Sequence, residues 1–239
     1  MKNHILVKLA PIYTIILVFI VILGFLGNKA VTVMTENAGV TDRVSVIIDA
    51  GHGGVDTGAT SCTGVMESNI NLEIALRLRD LLHLMGYQTK MIRTTDISIH
   101  TEGSATIAAK KISDLKNRVQ IVNETENAIL ISIHQNHFPV EKYRGAQVFY
   151  NRVGGSESLA KLLQNNFVMT INPDSNRKVK RADGVYLMQN IQTPGILVEC
   201  GFLSNSEEES LLRDDAYQKK LCSVIAASLS TFLKENAMT

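Results

Sequence analysis

Three stretches of this 239-residue chain run apolar and β-branched for a few residues, then stop at a side chain that binds metals or moves protons. They are VSVIIDAGHGG (44–54), AILISIHQN (128–136) and ILVECG (196–201). Short apolar runs bounded by Gly or polar residues read as strands buried on both faces, and such strands belong to parallel sheets. Helical spacing fills the intervals. Ile70, Ile74, Leu78, Leu82 and Met85 mark a helix over about 68–85, closed by Gly86. Further helices are expected over 113–124 and 156–170, and a helix pair from Ser206 onward. Weaker strands are expected at 87–93, 145–150 and 186–188. Strands alternating with helices predict an α/β fold: one domain, 43–239, with a mainly parallel twisted sheet flanked by helices on both faces.

In open α/β sheets, sites form beyond the carboxyl ends of the strands. His52, His134 and Glu199 therefore converge on one edge, although they are far apart in sequence. Glu67 precedes the first helix and returns to the same edge. Alone it would read as a favourable charge at a helix N-terminus. With the two histidines it completes a two-imidazole, one-carboxylate set that leaves a position open on a catalytic zinc. Glu199 directly follows Ile-Leu-Val, where a carboxylate is costly to bury without a partner. It reads as a general base, with an ion pair to Arg181 as the structural alternative. The loop Gly51-x-Gly53-Gly54-x-Asp56-x-Gly58 invites comparison with a phosphate cradle. It misses the dinucleotide spacing, and Asp56 would repel a phosphate. His137 stands as a substrate contact or support for a ligand, and Cys62 as a loop thiol able to act as a soft donor.

Composition narrows the partners. A net charge of +1, 5 % aromatic residues and no Trp give no footing for nucleic acid. Cys62, Cys200 and Cys222 are odd in number and widely spaced, so no disulfide framework is indicated. Residues 9–27 are uncharged and almost wholly apolar, long enough to span a bilayer, and Lys2 and Lys8 precede them. This predicts a cytoplasmic 1–8, a signal anchor or signal peptide at 9–27, a linker at 28–42, and a domain outside the cytoplasm. No convincing small-x-small cleavage site follows, which favours an uncleaved membrane-spanning helix.

The segments VIIDAGHGGVDTGA (46–59), MESNINL (66–72), ISIHQN (131–136) and LVECGFLSN (197–205) together resemble the zinc-dependent N-acetylmuramoyl-L-alanine amidases of the type 3 family, and within it the spore-cortex members. The resemblance covers about 44–235. It implies a Zn2+ cofactor on His52, Glu67 and His134, with Glu199 as catalytic acid/base. It also implies peptidoglycan, glycan strand and stem peptide, as substrate, and a role in removing stem peptides on the way to muramic δ-lactam. Ala50 stands where many members carry Pro, and Gln135 and His137 replace smaller residues. A zinc exopeptidase and a catalytically silent wall-binding scaffold are the rival readings. With no wall-binding repeat, a helper protein is expected, with the polar stretch Thr94–Lys116 as its candidate surface.

Overall fold

A computed structural model describes residues 44–237 apart from Cys62. The expected membrane segment, the linker and the Cys62 donor lie outside the described residues. Among the described residues no helix is long and apolar enough to cross a membrane.

Six strands form one sheet: β1 (Ser45–Ala50), β2 (Gln88–Met91), β3 (Ala128–Asn136), β4 (Gln147–Tyr150), β5 (Lys180–Arg181) and β6 (Gly195–Phe202). Their order is β2-β1-β3-β6-β4-β5. The helices are α1 (Glu67–Leu84), α2 (Ile107–Asn123), α3 (Ser156–Thr170), α4 (Tyr186–Asn190), α5 (Ser206–Leu212) and α6 (Asp215–Ala237).

The three apolar runs become β1, β3 and β6, adjacent and parallel, with His134 level with Glu199. The sheet is nevertheless mixed. β4 runs antiparallel to β6, and β5 follows β4's direction. A parallel return needs a crossover of a dozen or more residues. The stretch 137–146 contains no helix, so the chain comes back from β3 in the opposite sense.

Strand alternation sorts the side chains. Ile47, Leu130 and Leu197 on one face pack with Val122 of α2 and with Leu187 and Met188 of α4. The opposite face carries Ile48, Ile131 and Val198, all fully buried, and α1 and α3 pack on the sheet with α6 against both helices. Helices thus flank both faces, as expected.

Two local expectations change. α2 begins at Ile107 rather than near Ser113 because Thr106 caps it, accepting from Ala109 N at 3.1 Å. Its first turns leave Ile107 and Ile112 exposed, so no apolar stripe announces them. Residues 186–188 are helical, and the edge strand is Lys180–Arg181, too short and too polar to stand out. The helix pair begins at Ser206 as expected, with Asn205 capping α5 by accepting from Glu208 N at 3.0 Å.

Candidate metal and catalytic site

The site is built on the α2/α4 face at the carboxyl edge of β1, β3 and β6. As β1 ends, the backbone turns sharply: His52 takes φ 62°, followed by Gly53 at 136° and Gly54 at 58°. Left-handed backbone is costly for a residue with a Cβ and needs external support. Two buried arginines supply it. Arg118 of α2 donates from Nη2 to His52 O (2.6 Å) and from Nη1 to Ala50 O (3.0 Å). Arg93, just after β2, donates to Ala50 O (2.8 Å), Gly51 O (3.0 Å) and Ser68 O (2.8 Å). Arg118 is itself held by Asp49 and Asp114, each at 2.5 Å. Burial opposes the charge on Asp49, yet the Arg118 guanidinium keeps its carboxyl below the usual range.

The turned loop aims the His52 ring at Glu67, with Nε2 3.3 Å from Oε2. His52 Nδ1 lies 2.9 Å from Asp56 Oδ2, and Asp56 Oδ1 accepts from Lys111 Nζ at 3.2 Å. Such a carboxylate fixes the tautomer and orientation of a metal-binding imidazole. Glu67 opens α1. Its Oε2 accepts from Ala59 N (2.9 Å), and its Oε1 accepts from Gln135 N (3.1 Å) and Asn71 Nδ2 (3.2 Å). His134 Nδ1 lies 3.0 Å from Glu67 Oε1. The His134 ring lies flat over Gly51: a Cβ there would sit 2.2 Å from Nε2. Gly58 is equally constrained, at φ +67° with Glu67 Oε2 2.5 Å from where its Cβ would be.

His52, Glu67 and His134 offer ligand atoms that all lie within 4.8 Å of one another. Burial works against the Glu67 charge, but the two imidazoles hold its carboxyl far below the ordinary range. Burial likewise opposes a charged His52, and Asp56 and Glu67 outweigh it, raising the imidazole to about 9. A cluster that so favours positive charge, with two nitrogens and an oxygen converging, fits a divalent metal of zinc's preferences. Both rings remain partly open to solvent.

Glu199 sits on β6 beside His134. Its Oε2 is buried and has no hydrogen-bond partner. Burial, reinforced by Glu67 and opposed by His134 and His52, pushes its carboxyl up to about 7. The Arg181 alternative is overturned: Arg181 pairs with Asp183 at 3.0 Å on the edge strand. Cys200 points to the opposite face and is fully buried. Gln135 is buried and donates to Asn71 Oδ1 at 3.1 Å. His137 is exposed.

Sequence reasoning brought together the four principal residues. It missed the supporting set of Asp56, Arg93 and Arg118. Asp56 carried a signal, a carboxylate four residues beyond a loop histidine, but it was read only as repelling phosphate.

Comparison with known proteins decides the family. The family model described as N-acetylmuramoyl-L-alanine amidase matches residues 46–231. This chain belongs to that family. The amidase is 38 % identical over 191 residues to the germination-specific N-acetylmuramoyl-L-alanine amidase of Bacillus subtilis, covering 80 % of each protein. Among solved structures it is similar to the CwlD amidase from Clostridioides difficile, determined in complex with the GerS lipoprotein. That match has a TM-score of 0.77 and 37 % identity, over 80 % of this chain and 98 % of that one. An N-acetylmuramoyl-L-alanine amidase of Nostoc punctiforme matches with a TM-score of 0.69 and 26 % identity, over 80 % and 98 % of the two chains.

Proposed function

We propose that this amidase hydrolyses the amide joining the lactyl group of N-acetylmuramic acid to L-alanine, with His52, Glu67 and His134 holding zinc and Glu199 carrying the proton. The observation that supports this most directly is the buried, unpartnered Glu199 Oε2 beside three converging donors. When bound there, zinc supplies Lewis acidity toward the scissile carbonyl and makes water nucleophilic near neutral pH. Glu199 receives the proton of the attacking water at Oε2 and delivers it to the departing L-alanine nitrogen. A carboxyl raised to about 7 suits both transfers. Asp56 holds the His52 ring, and Arg93 and Arg118 hold the loop beneath it.

Against the exopeptidase reading stand the commitment of Arg118, a cation that could have gripped a peptide terminus, to Asp49 and Asp114, and the similarity to muramoyl-L-alanine amidases. The similarity to a germination-specific relative supports action on spore cortex, where stem-peptide removal precedes muramic δ-lactam formation. The partner of the Clostridioides difficile relative supports a helper protein for this chain too. Its surface would include the exposed start of α2, within the polar stretch singled out above. Residues 9–27 would anchor the enzyme outside the cytoplasm. The decisive experiment is mass spectrometry of muropeptides after incubation with the enzyme and zinc. Released peptides beginning with free L-alanine are expected; intact muropeptides, or cleavage inside the stem, would refute the proposal.

A further inference from the structure

Beside the catalytic row lies a cationic cleft that the chemistry above does not use. A cavity of about 570 Å³ is lined by Lys142, Tyr143, Arg144, Asn172, Asp174 and Arg177, among others. Arg177 is its fixed element. Its Nε donates to Arg144 O at 2.8 Å, and Nη1 donates to Gln147 Oε1 at 3.2 Å. Its guanidinium lies 4.5 Å over the Phe202 ring. Phe202 in turn stacks on Tyr143, which meets Phe138 edge-on. Two hydrogen bonds and a stacked ring fix the guanidinium plane, while Nη2 has no partner among the described residues. A planar guanidinium held this way, with Nη2 free to donate, is suited to a carboxylate.

The surrounding charges leave Nη2 available. Glu207 pairs with Arg144 at 3.4 Å, and both are exposed. Glu208 is turned inward, accepting from Gly145 N and Phe202 N. Within the lining the acidic residue beside Lys142, Arg144 and Arg177 is Asp174, while Glu208 behind the lining is the carboxylate that acts on Arg177.

The link to the reaction runs through Gln147. It pairs with Glu199 across the antiparallel β4–β6 ladder, so the two side chains share a face with Cβ atoms about 5 Å apart. Arg177, one side chain further on, is on the order of 10 Å from the proton carrier. An extended peptide advances about 3.5 Å per residue, so that span reaches the second or third residue past the scissile amide, one or two beyond the L-alanine.

We infer that Arg177 is the binding residue of a stem-peptide subsite, taking a carboxylate carried one or two residues beyond the L-alanine. The inference rests on the muramoyl-amide reading for the direction of the substrate, but its test does not depend on turnover. Calorimetric titration of the full-length protein with L-alanyl-D-glutamic acid γ-methylamide and with its α-carboxamide counterpart compares two uncleavable peptides that differ only in the α-carboxylate charge. The acid should bind about ten- to a hundredfold more tightly than the amide, the usual worth of a charge-assisted hydrogen bond. Arg177→Gln should erase that preference, and Arg177→Lys should keep a fraction of it. A purely structural Arg177 would weaken both peptides equally when replaced. Equal binding of acid and amide by the unmodified protein, or an undiminished preference in Arg177→Gln, overturns the inference. Absence of turnover on muramoyl peptides would count against the amide-bond reading alone.

Discussion

Arg118 offers the sharpest test of how the site is held up. It is 2 % exposed and faces Asp49, which is 1 % exposed. In Arg118→Met, Asp49 keeps only Ser132 Oγ at 2.6 Å. Asp114 keeps Ser98 Oγ and Ile99 N. Ala50 O still receives Arg93, so the orphaned Asp49 charge dominates the loss. Breaking a buried pair from one side costs about 3–5 kcal/mol, roughly 10 °C of melting temperature for a domain of this size. The deficit should depend on pH. In the unmodified protein the Asp49 carboxyl is depressed, so its contribution is full above the unfolded value of about 3.9 and is lost only in stronger acid. Without Arg118, burial is opposed only by His134 and Ser132 and drives that carboxyl upward. The folded variant then holds a proton the unfolded chain lacks, and its deficit shrinks as pH falls from 7 to 5. Asp49→Asn in the Arg118→Met background should recover most of the loss. Urea titrations at both pH values measure all of this. A deficit under about 1 kcal/mol, a deficit independent of pH, or a double variant no better than the single one would refute the reasoning.

Other expectations concern the site itself. Glu199→Gln should retain metal while kcat falls about 10²–10⁴-fold; metal loss by elemental analysis would make Glu199 a ligand instead. In the metal-free protein the raised Glu199 carboxyl binds a proton that the unfolded chain releases near pH 4.5. Its contribution therefore falls as pH rises from about 4.5 to 7, and the unmodified protein should lose up to about 3 kcal/mol relative to Glu199→Gln across that range. Parallel stability–pH curves for the two proteins would contradict this. His134→Ala should lose zinc and activity together, and normal zinc content would remove His134 from the ligand set. Gly51→Ala should displace the His134 ring, since its Cβ would fall 2.2 Å from Nε2. Zinc affinity should drop with every ligand still present, and an unchanged affinity in a competitive chelator titration would show that the ring has room to move.

What the sequence revealed depended on whether a residue's role left a pattern along the chain. His52, His134 and Glu199 each terminate a buried strand, so apolar runs point at them. Glu67 is found from the helix it opens. The antiparallel β4 has no comparable mark, because direction is set by the absence of a helix in 137–146. The unburied first turns of α2 lack periodicity for the same physical reason that they are exposed. Arg93 and Arg118 were the hardest to read. Buried guanidinium groups bonded to carbonyls look, in one dimension, like ordinary surface arginines.

The reversed direction of β4 has an evolutionary consequence. Because it runs against β6, its first residues, rather than its last, reach the catalytic edge. The wall beside Glu199 is therefore made by chain arriving from 137–146 and by the segment leading into β5, neither of which supplies a proposed ligand or the proton carrier. Insertions and charge changes in those two segments would reshape that wall while β1, β3 and β6 keep His52, His134 and Glu199 in place.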